Sequence, residues 1–180
     1  MEEHRPPALV AIVMGSESDL PVMSEAARTL ESFGVGFDMF IASAHRTPEY
    51  VREIAGAAEQ RGIRVIIAGA GMSAALPGVL AAHTTLPVIG VPLKSGALSG
   101  VDALYAVAQM PPGVPVAAVA VDGARNAALL AVEILGTSDE VLRERLKEYR
   151  TRMAEAVRKK DETLRAAGYK EMLKGIEARG

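Results

Sequence analysis

The segment SAHRTPE, residues 43–49, brings a histidine and an arginine together at the end of an apolar stretch. A histidine side chain exchanges protons near neutral pH, and the planar guanidinium of arginine binds phosphate or carboxylate through paired hydrogen bonds. Pro48 is typical of the start of a helix, with Thr47 as its predicted N-cap. His45 and Arg46 are therefore candidates for acid–base catalysis and anion binding in a strand-to-helix loop. For a loop histidine considered by itself, a polar residue without a chemical role is the simpler interpretation.

Two further loops carry candidate binding residues. In GSESD, residues 15–19, the turn either binds an anion through backbone N–H groups or uses Ser16, Ser18 or Asp19 to cap the next helix, and the cap is favoured for this segment alone. In GAGMSAALPG, residues 69–78, glycines and alanines would let a flat ligand approach the backbone. The same small residues would equally serve close packing of a helix on a strand. Both alternatives stay open for each loop.

Apolar segments that alternate between strand and helix patterns connect these loops. Strands are predicted at residues 8–14, 35–42, 65–70, 86–93 and 114–121, and helices at residues 21–33, 49–60, 103–110 and 124–135, with an alanine-rich helix near Pro77. Short continuous apolar runs are typical of strands buried on both faces, and their alternation with helices predicts a parallel sheet covered by helices. Ligands bind such sheets beyond the carboxyl ends of the strands. All three candidate loops lie at that end.

Composition restricts the class of protein. The chain has 180 residues, of which 49% are hydrophobic and 23% charged, as expected for one globular domain. The net charge is −2 and the basic residues do not alternate with aromatic ones, which argues against nucleic-acid binding. No cysteine and no zinc-type spacing of histidines is present, so no metal site is predicted. Without a long apolar run or a signal-peptide core, we expect a cytoplasmic protein that does not bind membranes.

The pattern divides the chain into three parts. We predict a disordered leader at residues 1–7, a single α/β catalytic domain at residues 8–137 and a helical extension at residues 138–180. The extension is rich in Glu, Arg and Lys and has a narrow apolar stripe, typical of a long amphipathic helix. This stripe packs either on its own domain or on a neighbouring subunit, and Gly168 predicts a break before a last helical piece. His4 and His83, in the leader and after the alanine-rich helix, have no predicted role.

Several segments, taken in order, resemble the N5-carboxyaminoimidazole ribonucleotide mutase family of purine biosynthesis. They are MGSESDLPVM, SAHRTPEY, AGAGMSAALPGVLAAHTTLPVIGVPL, SGVDALYAVAQMPPGVPVA and NAALLAVEIL, and they extend from about residue 9 to residue 135. The resemblance implies a flavodoxin-like three-layer αβα sandwich with a central parallel sheet, assembled as a homo-octamer without a metal or an organic cofactor. The family reaction moves a carboxylate from the exocyclic nitrogen of the aminoimidazole to ring carbon C4, through CO2 trapped in a closed site.

The same resemblance implies roles for the candidate residues. His45 would be the general acid/base, Arg46 the phosphate contact, and Ser16 and Asp19 ligands of the ribonucleotide. The other implied substrate-binding or pocket-lining residues are Gly15, Ser18, Ser43, Ala44, Ala70, Gly71, Ser73 and Leu76. One histidine can serve both steps, because the leaving nitrogen gains a proton and the C4 proton is later removed. Along the chain, GSESD is the first loop, SAHRTPE the second and GAGMSAALPG the third. CO2 offers almost no polar contact, so its retention would depend on enclosure by the third loop.

The third loop departs from the family pattern. Many mutases read GGAAHLPG where this chain reads GMSAALPG, so Ala75 stands at the position of their histidine. The related carboxylases, which add CO2 directly to aminoimidazole ribonucleotide, resemble GRSNALSG there, and Ser73 and Ala75 agree with them. Met72 is not their arginine, however, Pro77 agrees with the mutases, and SAHRTPE has arginine where the carboxylases tend to have lysine. We predict a mutase, with a direct carboxylase as the alternative.

A non-enzymatic flavodoxin-like binding module is the alternative from another class of protein. A receiver-type module needs an acidic cluster after the first strand and an aspartate at the end of a central strand, where this chain has AGAG. A flavin module needs aromatic side chains around the ring, and aromatic residues are only 4% of the chain. Both observations favour the enzyme.

Overall fold

The computed structural model describes residues 6–177, and its sheet lies between two layers of helices. The strands are β1 (Ala8–Met14), β2 (Gly36–Ile41), β3 (Val65–Gly71), β4 (Val88–Leu93) and β5 (Ala117–Ala118), in the order β2-β1-β3-β4-β5. The helices are α1 (Leu20–Ser32), α2 (Pro48–Ala57), α3 (Leu76–Ala82), α4 (Val101–Ala108), α5 (Ala124–Gly136), α6 (Glu140–Ala167) and α7 (Tyr169–Glu177). A 3-10 turn, Glu17–Asp19, precedes α1. All strand pairs are parallel, so the predicted three-layer α/β architecture is confirmed.

Side chains of each central strand alternate between two cores. In β1, Val10, Ile12 and Met14 pack in one core with residues of α1 and α5. Ala11 and Val13 pack in the other core with residues of α2, α3 and α4. Burial on both faces explains why the central strands read as continuous apolar runs rather than as alternating ones.

Two glycines let the helices approach the sheet closely. A Cβ added to Gly69 of β3 would lie 2.4 Å from the Sδ of Met23 in α1. A Cβ added to Gly90 of β4 would lie 2.4 Å from a γ-carbon of Val107 in α4. For Gly69, the first residue of GAGMSAALPG, the packing interpretation of that segment is therefore correct.

The fifth strand is much shorter than predicted. Residues 114–121 read as a strand, yet only Ala117–Ala118 pairs in the regular ladder with β4. Pro115 has no N–H to donate, and β5 is an edge strand with one neighbour, so fewer hydrogen bonds hold it extended. The N–H groups of Val119 and Asp122 still donate to Gly90 and Pro92 outside the ladder, at 3.1 and 2.8 Å.

The start of α2 also differs from the prediction in one respect. Thr47 occupies the N-cap position, but its side chain makes no capping hydrogen bond. Its Oγ1 instead accepts the N–H of Ser43 at 2.9 Å and donates to the carbonyl of Ser43 at 3.1 Å. Thr47 therefore closes the loop that carries His45 and Arg46, rather than satisfying an N–H group of the helix.

The helical extension divides into two parts. Leu142 and Leu146 of α6 are buried against the domain, and the ring of Tyr149 lies 5.6 Å from that of Phe33. Residues 151–170 are all exposed in the structure. Only the first turns of the amphipathic stripe thus pack on the chain's own domain, and Gly168 separates α6 from α7 as predicted.

The amino terminus is only partly described. Residues 1–5 of the predicted leader, including His4, lie outside the described residues. Pro6 and Pro7 pass the start of β2, where a Cβ on Gly36 would lie 2.3 Å from the carbonyl oxygen of Pro7. Within residues 6–177, no helix is both long and apolar enough to cross a membrane.

Candidate active site

A cavity of about 520 Å³ lies at the carboxyl ends of the central strands. Its wall is formed by the loops that follow β1, β2 and β3, together with one residue from the loop after β4. The sequence-predicted site residues all line it: Gly15, Ser16, Ser18, Asp19, Ser43, Ala44, His45, Arg46, Ala70, Gly71, Ser73 and Leu76. The parallel topology thus brings the three predicted loops to one place. The substrate roles of these residues stay predictions.

The first loop, GSESD, forms a capping box. The Oγ of Ser16 accepts the N–H of Ser18 at 3.4 Å, and the Oδ2 of Asp19 accepts the N–H of Ser16 at 3.0 Å. The cap interpretation therefore holds for the 3-10 turn that precedes α1, whereas Asp19, at the N-cap position of α1 itself, makes no side-chain capping bond to that helix. Because these N–H groups already have acceptors within the turn, the side chains of Ser16, Ser18 and Asp19 are the better candidates for ligand contacts than the backbone.

Asp19 is the acidic group of the cavity lining, and its ionisation is disfavoured. Partial burial raises the pKa of the Asp19 carboxyl above its ordinary value of 3.8, because a buried charge loses hydration. Hydrogen bonds from the Ser16 backbone and the Ser18 hydroxyl, and the positive charge of Arg46, oppose this shift without cancelling it. A polar ligand that donates hydrogen bonds to this carboxylate would replace part of the lost hydration.

Arg46 connects the first two loops. Its Nη2 donates to the carbonyl of Gly15 at 2.9 Å, and its Nε lies 3.3 Å from the Oγ of Ser43. These two bonds use only part of the five N–H donors of a guanidinium. No carboxylate among the described residues forms an ion pair with Arg46, although the charge of Arg46 acts to lower the pKa of Asp19. The remaining donors are thus available to an anionic ligand in the cavity.

His45 precedes Arg46 in an exposed turn of the second loop. Its ring nitrogens have no hydrogen-bond partner within the described part of the chain. Ala75 also lines the cavity, at the N-cap position of α3, and its methyl group transfers no proton. Of the described residues in the lining, His45 is therefore the only histidine.

Four lining residues were not among the predicted site residues: Met72, Ala74, Ala75 and Ser95. Met72 and Ala74 have left-handed backbones, with φ values of 55° and 38°, and the N–H of Met72 donates to the Oγ of Ser95 at 3.0 Å. No sequence pattern marks a left-handed Met or Ala. Ser95 was open to prediction, because every strand-to-helix loop of a parallel sheet lies at the same end, and Ser95 follows β4 by two residues.

A second cavity, of about 590 Å³, lies at the opposite end of the sheet. Its charged residues are Glu59 and Arg64, and no histidine lines it. His83 is exposed in a neighbouring depression beyond α3, remote from the loops that hold His45. Within residues 6–177, no group of three or more histidines and carboxylates is placed to hold a metal ion. The chemistry-bearing side chains are therefore grouped at the carboxyl ends of the strands.

Comparison with known proteins agrees with this geometry. The model of the AIR carboxylase family matches residues 9–156. An N5-carboxyaminoimidazole ribonucleotide mutase of Pyrococcus abyssi is 62% identical over 144 residues, which cover 80% of this chain and 83% of that one. The corresponding mutase of Pyrococcus horikoshii is 54% identical and covers 96% of this chain and 97% of its own. Both matches extend over most of this chain.

Longer proteins and solved structures match as well. A phosphoribosylaminoimidazole carboxylase of Candida albicans is 52% identical over 92% of this chain, but the match covers only 29% of that protein. The crystal structure of Treponema denticola PurE superposes with a TM-score of 0.78 at 32% identity, over 87% of this chain and 98% of that one. The chain belongs to the AIR carboxylase family.

Proposed function

We propose that the chain is an isomerase of purine biosynthesis that converts N5-carboxyaminoimidazole ribonucleotide into the isomer carboxylated at C4. The observation that carries this proposal is the cavity at the carboxyl ends of the strands, which Asp19, His45 and Arg46 line together with small residues. The family membership and the mutase names of relatives at 51–62% identity support the same reaction.

Binding of the ribonucleotide would use opposite charges at two parts of the cavity. The unused donors of Arg46 fit a phosphate, for which a planar guanidinium is well suited. The carboxylate of Asp19 and the hydroxyls of Ser16 and Ser18 fit the ribose hydroxyls, which donate and accept hydrogen bonds. This division places the phosphate near the second loop and leaves the aminoimidazole to contact His45 and the third loop.

His45 would act first as an acid and then as a base. When the bond between the exocyclic nitrogen and the carboxylate breaks, CO2 leaves and the nitrogen takes a proton from the imidazolium of His45. Ring carbon C4 then attacks CO2, and neutral His45 removes the C4 proton to restore the aromatic ring. The proton returned to His45 equals the proton it gave, so the isomerisation needs no external acid or base.

Retention of CO2 between the two steps depends on enclosure. Ala44, Ala70 and Gly71 line the same cavity as His45, and residues this small allow the backbone to approach a flat ring closely. The third loop adds two left-handed residues, Met72 and Ala74, to the same lining. An enclosed site keeps CO2 near C4 and excludes the water that would disperse it.

The proposal is tested by a two-substrate assay with the purified protein. With N5-carboxyaminoimidazole ribonucleotide and no added bicarbonate, we expect the C4-carboxylated product. With aminoimidazole ribonucleotide and CO2, we expect a much slower reaction. No product from either substrate would contradict an enzymatic function and would favour a binding module.

A direct carboxylase is the second candidate, and a specific observation favours it. The third loop has Ser73 and Ala75 at cavity-lining positions, as the carboxylases do, and relatives named carboxylases match at 49–52% identity. Efficient product formation only from aminoimidazole ribonucleotide with CO2 would identify this reaction and exclude the mutase.

The same proposal includes a homo-oligomer, specifically a homo-octamer, in the cytoplasm. Leu98, Val101 and Tyr105, on and beside α4, are 61%, 51% and 61% exposed, as surfaces between subunits are before assembly. The exposed part of α6 adds Met153 and Val157, at 54% and 66%. Light scattering coupled to size-exclusion chromatography measures the subunit number, and a monomer at micromolar concentration would contradict the proposed oligomer.

A cytoplasmic location fits a charged, phosphorylated substrate, because a bilayer excludes such charge.

A further inference from the structure

Ser95 lies in the loop after β4 and contacts the third loop, which follows β3. In the sheet, β4 lies on one side of β3, whereas β2, whose loop carries His45, lies on the other side beyond β1. We propose that Ser95 is a positioning residue that holds the third loop over the reacting carbon and thereby retains CO2 during turnover. This inference rests on the proposed mutase reaction. Ser95 is placed by its contact with the backbone of Met72, and no role as an acid or base is assigned to it.

The contact between Ser95 and the third loop is close. The Oγ of Ser95 accepts the N–H of Met72 at 3.0 Å. A Cβ added to Gly71 would lie 2.5 Å from that oxygen and 3.1 Å from the Cβ of Ser95. The hydroxyl is therefore seated directly against the α-carbon of Gly71, and only a glycine there leaves room for it.

Met72 needs this support because of its backbone conformation. Its φ of 55° is in the left-handed region, which a non-glycine residue disfavours by about 5- to 30-fold. The side chain is 64% exposed, so burial contributes little to holding it. Within residues 6–177, its N–H bond to Ser95 is the one hydrogen bond of Met72. Ala74, also left-handed, is instead buried and donates to the carbonyl of Gly71 at 3.0 Å.

Ser95 is itself held by the sheet. Leu93, the last residue of β4, is in register with Gly71, the last residue of β3. The next N–H, that of Lys94, donates to the Oδ1 of Asp122 at 2.9 Å. The residue before Ser95 is therefore held by Asp122, and the Ser95 hydroxyl in turn holds the backbone of Met72 through its hydrogen bond. The third loop is thus fastened at one of its two left-handed residues.

Loosening this loop would affect one step selectively. If the loop opens after decarboxylation, CO2 escapes, the nitrogen keeps the proton from His45, and aminoimidazole ribonucleotide is released in place of the carboxylated product. Substrate binding through Arg46 and Asp19 is on the other two loops. Loss of the Ser95 hydroxyl should therefore alter the ratio of free aminoimidazole ribonucleotide to carboxylated product more than it alters KM.

The test compares Ser95→Ala with the parent and with Ser24→Ala, a control on α1 whose hydroxyl donates to Pro21 outside the cavity. Each protein is given N5-carboxyaminoimidazole ribonucleotide, and both products are measured after subtraction of the reaction without enzyme. We expect Ser95→Ala to raise the ratio of aminoimidazole ribonucleotide to carboxylated product by about three- to tenfold, the net effect of one hydrogen bond, with KM within twofold. Ser24→Ala should match the parent. An unchanged ratio in folded Ser95→Ala would overturn the proposal.

A second background makes the test specific to Met72. Glycine adopts a positive φ without the penalty that methionine has, so Met72→Gly removes the strain that Ser95 opposes. Introducing Ser95→Ala into Met72→Gly should raise the product ratio by less than half the factor seen with Met72. An equal rise in both backgrounds would show that Ser95 does not act through Met72. If the parent forms no carboxylated product, the proposed function fails instead, and the two failures are distinguished.

Discussion

Replacement of Arg46 by lysine is expected to weaken substrate binding far more than it weakens the fold. Lysine keeps the positive charge but loses the planar fork, so it cannot reproduce the bonds to Gly15 and Ser43 while contacting a phosphate. The perturbation therefore separates charge from geometry at the predicted phosphate contact.

The magnitude follows from the contacts of Arg46. Its two protein hydrogen bonds, of 2.9 and 3.3 Å, are made by an exposed side chain to neutral acceptors. Their loss should cost about 1 kcal/mol of folding free energy in total, which corresponds to a fall in Tm of roughly 2–4 °C for a chain of this size. Loss of one charge-assisted bond to a phosphate costs about 1.5–3 kcal/mol, or an increase in KM of about 10- to 150-fold.

Steady-state kinetics with N5-carboxyaminoimidazole ribonucleotide measures KM and kcat, and thermal unfolding measures Tm. The control is Arg52→Lys, one turn into α2, where the arginine bonds Glu49 at 2.9 Å and is not part of the cavity lining. This control should leave KM within twofold of the parent. If Arg46→Lys also leaves KM within twofold, Arg46 does not bind the phosphate and the assignment of this residue is refuted.

Two further predictions concern the other charged groups of the cavity. His45→Asn should lower kcat by about 10²- to 10⁴-fold, the range for general acid–base catalysis, while the affinity for the product, measured by calorimetry, stays within about threefold. The control His83→Asn, outside the cavity, should change neither quantity. Near-normal rates in His45→Asn would contradict the mechanism. For Asp19, burial raises the pKa of the folded state, so its contribution to stability is present below the ordinary value of 3.8 and is lost as pH rises through the folded value. The amide side chain introduced by Asp19→Asn does not ionise, so this variant does not lose that stability as pH rises. Its Tm relative to the parent should therefore be higher near neutral pH than at about pH 3.5, whereas its affinity for the substrate falls. A Tm difference that is the same at both pH values would refute the burial argument.

Much of the fold followed from local patterns. Continuous apolar runs identified the central strands, because burial on both faces excludes polar residues from every position. β1 is found at its predicted bounds, Ala8–Met14, and β2, β3 and β4 differ by one or two residues at their ends. The fifth strand is shorter than predicted although its apolar run is continuous, because Pro115 has no N–H for a ladder bond; an edge position alone does not shorten a strand, since β2 is also an edge strand and extends over Gly36–Ile41.

The candidate site was predictable for a topological reason. In a parallel sheet, the loops after successive strands meet at one end, so polar residues at three separate places in the sequence are brought into one cavity. His45, Arg46 and Asp19 were therefore placed together before any contact was known, and the cavity lining agrees. The resemblance to the mutase family, which the AIR carboxylase match confirms, supplied the reaction.

The sequence by itself thus determined the order of the elements, the end of the sheet that carries the site, and most of the residues in it, because these depend on short-range patterns. Tertiary structure decided how those residues are held. Arg46 bonds a carbonyl 31 residues away, and Met72 bonds a serine 23 residues away. The left-handed backbone of Met72 and the burial of Asp19 likewise depend on neighbours from other loops. Such contacts depend on how distant segments pack in space, which no local pattern records.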